Sequence, residues 1–445
     1  MPPAGTLDGA AADLAAGRTT SAALVEACLE RAEDPAGEGA RAFVELDAEA
    51  ARATARAVDE LRAAGAEPSP YAGIPVSVKD LFDVRGQVTR AGSVVLDEGP
   101  ASADAAAVAA WRRAGLVLVG RTNMTEFAYS GLGINPHHGT PANPWDRERG
   151  RIPGGSTSGG AVSVADGMAF GALGSDTGGS CRIPAALCGL VGFKPTQDLV
   201  SREGMAPLST SLDAAGVIAP TVACCAELVG LARGEVRAAP DPVALPPRLA
   251  VPQTLFFDDA EPEVVADFER ALGTLAEAGA ELVEIELAEL AEIAEASAKG
   301  GFPAAEAFAW HRELIESDGE RYDPRVLVRI RRGEGQSAAD LLDLIGWRRS
   351  FIARVAERLA PFDGFVFPTV PAVAPPLDVF DDEDTYGRLN LLMLRNPTVV
   401  NLLDGCGISV PMNEDGEAPS GLTIAALGGH DDELLRVAAW VEERL

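Results

Sequence analysis

Apolar positions recur at helical spacing over 20–32 and 47–64, then condense into an unbroken run at 74–78 that ends on Lys79. The first two stretches predict amphipathic helices and the third a buried strand. Residues 102–114 read as a helix capped by Ser102, 116–119 as a strand, and Asn123 with Glu126 as a capping pair opening another helix. A small-residue segment at 158–168, a strand-like stretch at 169–173, a glycine-rich turn and a helix starting near Pro184 follow. Further on, strand patterns at 248–251, 282–287, 364–367, 407–410 and 421–425 are separated by helical patterns at 264–278, 338–359 and 432–445. This alternation predicts an α/β fold with a largely parallel or mixed central sheet. No repeat or concentrated linker divides the chain, so its 445 residues fit either two domains or one large one.

Charge and composition narrow the classes of function. A formal net charge of -30 repels phosphate backbones and anionic membrane surfaces, which argues against direct nucleic-acid binding. No apolar run reaches the length needed to span a bilayer. The first residues lack a basic segment followed by an apolar one, so the expectation is a cytoplasmic protein without a secretory leader. The six cysteines, Cys28, Cys181, Cys188, Cys224, Cys225 and Cys406, show no metal-ligand spacing and read as buried thiols.

Lysine occurs only at Lys79, Lys194 and Lys299, although arginine is plentiful. A desolvated lysine can act as a neutral base where arginine cannot, although a strand-end lysine can also simply reach to the surface. Two glycine-serine turns, Gly154-Gly155-Ser156-Thr157-Ser158-Gly159-Gly160 and Gly174-Ser175-Asp176-Thr177-Gly178-Gly179-Ser180, can aim several backbone N–H groups at one developing oxyanion. Neither has the pattern of a phosphate-binding loop. The histidines, His137, His138, His311 and His430, leave a histidine-dependent triad open on spacing alone, but no G-x-S-x-G elbow supports one.

Four blocks together resemble the amidase signature family over nearly the whole chain. They are Gly73-Ile74-Pro75-Val76-Ser77-Val78-Lys79-Asp80; Gly120-Arg121-Thr122-Asn123-Met124-Thr125-Glu126-Phe127 leading to Asn143-Pro144-Trp145; the serine core from Pro153 through Ser180 to Arg182-Ile183-Pro184 and Gly192-Phe193-Lys194-Pro195-Thr196; and a weaker carboxy-terminal block around Asn401-Leu402-Leu403 and Ile408-Ser409-Val410-Pro411. The resemblance implies one catalytic domain over 1–445, an α/β/α layered fold with a twisted mixed sheet, and no metal or organic cofactor.

Carried onto this chain, the resemblance makes Lys79 the base, Ser156 the bridging serine after a cis peptide, and Ser180 the nucleophile, 24 positions after Ser156. It puts the oxyanion donors at the backbone N–H groups of Thr177, Gly178, Gly179 and Ser180. Asp176, Arg182 and Thr157 become supports of the nucleophile turn, with Thr157 standing where many relatives carry serine. Ala128, Tyr129, Ser130 and Gly131 would line the acyl pocket. Lowering the Lys79 pKa to about 7 costs on the order of 4 to 5 kcal/mol and demands burial or nearby positive charge.

The implied reaction is hydrolysis of a small-molecule carboxamide through an acyl-enzyme. Its alternative is the glutaminase subunit of a tRNA-dependent amidotransferase, and a catalytically silent binding homologue is the third reading. A homodimer is compatible with the resemblance, although the sequence carries no interface signature.

Overall fold

The computed structural model of the protein describes residues 5–445; residues 1–4, where the leader reading begins, lie outside the described part. Its strands are β1 (Phe43–Leu46), β2 (Pro75–Lys79), β3 (Val117–Thr122), β4 (Ala172–Asp176), β5 (Val191–Lys194), β6 (Ala214–Ala219), β7 (Arg248–Pro252), β8 (Glu281–Ile285), β9 (Gly364–Pro368), β10 (Cys406–Pro411) and β11 (Gly421–Ala426). They form one sheet in the order β1-β3-β2-β4-β6-β5-β10-β11-β9-β7-β8. The sheet is mixed: β3, β2 and β4 run parallel, as do β9, β7 and β8, and the strands between alternate in direction. With helices around it, this is the α/β architecture anticipated from the alternating periods.

The central strands are buried on both faces, which is why they read as apolar runs and not as alternations. On one side the helices Ser21–Ala32 and Ala48–Ala63 pack together; the side chains of Thr20 and Asp47 cap them by accepting from Ala23 N and Ala50 N. A separate core lies at the far end of the sheet, where Phe351 and Val355 of helix Ala338–Leu359 meet Phe256, Phe365 and Phe367.

Two expected elements differ. The helix placed at 102–114 spans Ala106–Arg113, and Ser102 does not cap it. The preceding residues are drawn to other segments: Asp104 Oδ1 accepts from Arg85 N, while Ala105 N and Ala106 N donate to Asp83 O and Glu203 O. Asn123 and Glu126 open no α-helix either. Asn123 Nδ2 donates to Arg41 O and Gly139 O, and Phe127 and Ala128 adopt positive φ of 49° and 59°, leaving a single helical turn at Glu126–Ala128.

Because β2 and β4 are parallel neighbours, with Val78 opposite Leu173, both point their carboxyl ends to the same edge. Lys79 ends β2, and Ser175 with Asp176 ends β4. Clefts for ligands collect at such edges.

Candidate active site

Lys79 lies at the strand end as expected, but it does not reach the surface. It is fully buried, and its Nζ donates to Ser156 Oγ at 2.8 Å and to Ser175 Oγ at 2.9 Å. Burial pulls its pKa down to about 8, against the opposing pull of Cys181, Asp176 and Asp213. The Cys181 thiol is itself pushed up to about 12 by burial. The anions facing Lys79 at neutral pH are therefore carboxylates, not thiolates.

Ser156 follows a cis peptide at Gly155-Ser156 and is held from both sides: its carbonyl accepts from Thr125 N, and Gly155 N donates to Gly131 O. The helix Ser158–Ala165 begins two residues later. Its small residues let it approach closely; a Cβ on Gly159 would lie 2.1 Å from Ala42 O.

The second turn joins β4 to helix Arg182–Leu187. Asp176 organises it, with Oδ1 accepting from Gly179 N at 2.8 Å and Oδ2 from Cys181 N at 3.1 Å. Arg182 Nε and Nη2 donate to the same carboxylate, Asn401 Nδ2 reaches its Oδ1, and Arg182 Nη2 also donates to Asn401 Oδ1. Burial raises the Asp176 carboxyl, but the charge and hydrogen bonds of Arg182 outweigh it and hold the group well below the usual carboxylate range. Thr157 ties the two turns together: its N–H donates to Ser180 O at 3.3 Å and its Oγ1 to Ser175 O at 3.4 Å.

Ser180 is thus carried to the Lys79–Ser156 pair through main-chain contacts. Among the described residues, its hydroxyl makes no direct hydrogen bond to Ser156. Ser180 lines a cavity of about 940 Å³, together with Thr177 and Gly178, whereas Lys79 and Ser156 lie behind the wall. Ala128, Tyr129 and Ser130 also line it. Gly131 sits outside the lining, against Ile183 and Leu394. The Gly179 N–H points at Asp176, not at the cavity.

Three contributors escaped sequence reasoning in this role. Ser175, in the second glycine-serine turn, shares the Lys79 ammonium with Ser156. Asp213, immediately before β6, accepts from the Thr177 hydroxyl and from Leu208 N and Ser209 N, and burial raises its carboxyl to about 6. Helix Glu383–Leu402 supplies one cavity wall and fastens to the loop of Ser130 and Gly131 through Asn390 Oδ1, which accepts from Ser130 Oγ and Gly131 N. Asn390 and Asn401 are buried polar residues on an otherwise mixed helix, the one signal that could have marked it.

His137 Nε2 pairs with Glu126 Oε1 at 2.9 Å, and His311 bonds Tyr322; among the described residues neither ring hydrogen-bonds Ser156 or Ser180. Among the described residues, no group of three or more His, Cys, Asp or Glu side chains is arranged to hold a metal ion, and no helix is long and apolar enough to cross a membrane. The six cysteines are free and buried.

Comparison with known proteins agrees with this fold. The family model described as "Amidase" matches residues 23–435. The chain is similar to 2-amino-5-chloromuconic acid deaminase of Comamonas testosteroni, with 36% identity over 428 residues covering 95% of this chain and 92% of that protein. It is 34% identical to a glutamyl-tRNA(Gln) amidotransferase subunit of Roseiflexus sp. (strain RS-1), over 97% of this chain and 94% of that one. A solved structure described as "Crystal structure of amidase" superposes with a TM-score of 0.90 at 33% identity, over 99% of this chain and 100% of the other.

Proposed function

The chain belongs to the amidase family, the amidase-signature amidohydrolases that cleave amide bonds, and from that membership we propose that it hydrolyses a small-molecule carboxamide through Ser180, Ser156 and Lys79 in one catalytic domain spanning 1–445. The observation that carries the reading is the buried Lys79 amine, 2.8 Å from Ser156 Oγ, with a pKa pulled down to about 8. A base must shed its proton near the working pH, and burial does this for a lysine.

Ser180 Oγ attacks the amide carbonyl carbon as its proton passes to Ser156 Oγ, and the Ser156 proton passes to neutral Lys79 Nζ. The negative oxygen so formed is met by the N–H groups of Thr177, Gly178 and Ser180; that of Gly179 is engaged by Asp176 and shapes the turn. Collapse of the tetrahedral species breaks the C–N bond, and the proton returns from Lys79 through Ser156 to the leaving nitrogen. Water then repeats the cycle on the acyl-enzyme and releases the carboxylic acid. The second leg of the relay, Ser180 to Ser156, closes when substrate orients the Ser180 hydroxyl.

A cytoplasmic site of action belongs to the same proposal, since six free buried thiols suit a reducing compartment. The likeness to the amidotransferase protein supports a second reading, a glutaminase that supplies ammonia to a partner. Copurification with a partner protein, and glutaminase activity that depends on it, would favour that reading.

The test is intact-mass labelling with a fluorophosphonate on wild type, Ser180→Ala and Lys79→Ala. One adduct mapped to Ser180, lost in Ser180→Ala and slowed in Lys79→Ala, is expected. An adduct elsewhere, or equal labelling of all three proteins, refutes the mechanism.

A further inference from the structure

The cavity in front of Ser180 is walled mainly by carbon. Leu208, Leu212, Leu255, Leu290, Ile293 and Phe302 line it, and helix Glu383–Leu402 contributes a further wall. That helix would be apolar throughout on this face if the cavity took a purely hydrocarbon substrate. Instead Arg388, Arg395 and Thr398 line the cavity beside Leu391, Leu394 and Leu402. The arginines lie seven residues apart, two turns of one helix face.

Position along the helix separates their roles. Thr398 touches the nucleophile turn, its Oγ1 donating to Gly178 O at 3.4 Å. Arg395 stands one turn further out, roughly 4.5 Å along the axis at 1.5 Å per residue. Arg388 lies roughly another 10 Å along, exposed, beside Leu391 at the mouth.

Arg395 is held in place without being neutralised. Its Nε donates to Asn396 Oδ1 at 3.1 Å and its Nη2 to Phe256 O at 3.3 Å, both uncharged acceptors. Its Nη1 has no protein partner among the described residues, and no carboxylate forms an ion pair with it. Asp258 and Asp259 favour its charge only from a distance, and half-burial outweighs them. In a protein with a net charge of -30, a half-buried guanidinium without an acidic partner at a cavity wall is a natural receptor for an anion.

Building on the amide-hydrolase reading above, we propose that Arg395 determines specificity by receiving a carboxylate on the acyl portion of the substrate, a few bonds from the scissile carbonyl. The substrate class is then a short monoamide of a dicarboxylic acid, whose carbon chain packs on the leucines while Arg395 binds its far end. Asp259 and Glu261 line the same cavity. Glu261 Oε2 is engaged by Val373 N, and both carboxylates would repel an anion placed near them.

The test is protection of Ser180 from a neutral fluorophosphonate by matched competitors, butanamide against succinamate and hexanamide against adipamate, in wild type, Arg395→Gln, Arg395→Lys and Arg388→Gln. In wild type the acid amide of at least one pair should protect at a concentration tenfold or more below its neutral partner. That ratio should fall to near one in Arg395→Gln, recover partly in Arg395→Lys, and persist in Arg388→Gln. Equal protection by acid and neutral amides in wild type overturns the proposal, as does a ratio that survives Arg395→Gln or collapses in Arg388→Gln instead. Failure of wild-type Ser180 to take the label at all would refute the catalytic reading beneath it, which keeps the two failures apart.

Discussion

Lys79 Nζ and Ser156 Oγ stand 2.8 Å apart, and both side chains are wholly excluded from solvent. An ammonium there has lost its water and gained two hydroxyl acceptors, Ser156 and Ser175, neither of which carries charge. The charged form is therefore the disfavoured one. With the neutral amine as the proposed base, kcat/KM should rise with pH and level off above an apparent pKa near 8, the value to which burial lowers Lys79. A pH–rate profile that is flat from 6 to 9 would remove Lys79 from the role.

The same burial makes Lys79 a cost to stability at neutral pH. A fall from 10.5 to about 8 corresponds to about 3 kcal/mol. The sign follows from proton counts: between pH 8 and 10.5 the unfolded chain holds the proton and the folded one does not, so stability rises with pH across that window. Below pH 8 the cost is present in full. In Lys79→Met it is removed, against the loss of two hydrogen bonds worth about 1 kcal/mol each. Urea melts should therefore show the variant at least as stable as wild type at pH 7, with wild type overtaking it by about 1 kcal/mol near pH 10. A difference that does not change with pH would contradict the lowered pKa.

Ser175 separates the relay from its surroundings. It accepts from Lys79 at 2.9 Å, as Ser156 does at 2.8 Å, but the proposed relay runs from Ser180 through Ser156. Ser156→Ala should lower kcat by about 10²-fold or more, the usual weight of a positioned proton carrier. Ser175→Ala should cost about tenfold or less and leave the Ser180 adduct intact. Single-turnover acylation rates of the two variants check the order, and equal losses would make Ser175 a second member of the relay.

Much of this is legible in the chain itself, and the rest is hidden for identifiable reasons. Amphipathic helices with side-chain caps, such as Ser21–Ala32 behind Thr20, lie within a residue of their expected bounds. Strand β6 gives little signal because Ala214–Ala219 is alanine and glycine for the most part, with neither alternation nor many branched residues, and its burial on both faces comes from neighbouring strands. Helix Glu383–Leu402 is obscured because Pro397 interrupts it and its buried face carries Asn390, Asn396 and Asn401. At the site, the serine and lysine blocks are readable because glycine turns are local. The pairing of Arg182 with Asn401, 219 residues away, depends on the fold bringing them together.

That long-range contact gives the most demanding prediction. Asp176 and Arg182 are both fully buried, and Asn401 hydrogen-bonds to each of them. Removing one partner of such a pair leaves an uncompensated charge and costs about 3 to 5 kcal/mol, whereas the intact pair contributes far less than that. Arg182→Met should lower the midpoint of urea unfolding accordingly, and it should slow acylation because Asp176 also holds the Gly179 and Cys181 N–H groups that set the turn. Asp176 sits below its ordinary pKa of 3.8, so its contribution is fully present above about pH 4 and is lost as pH falls through the lower folded value. The deficit of Arg182→Met should therefore be largest at pH 6 to 7 and narrow toward pH 3, where the stranded carboxylate can take up a proton. A deficit that stays constant down to pH 3 would mean that the variant suffers from lost packing and that the charge pair is not what braces the turn leading to Ser180.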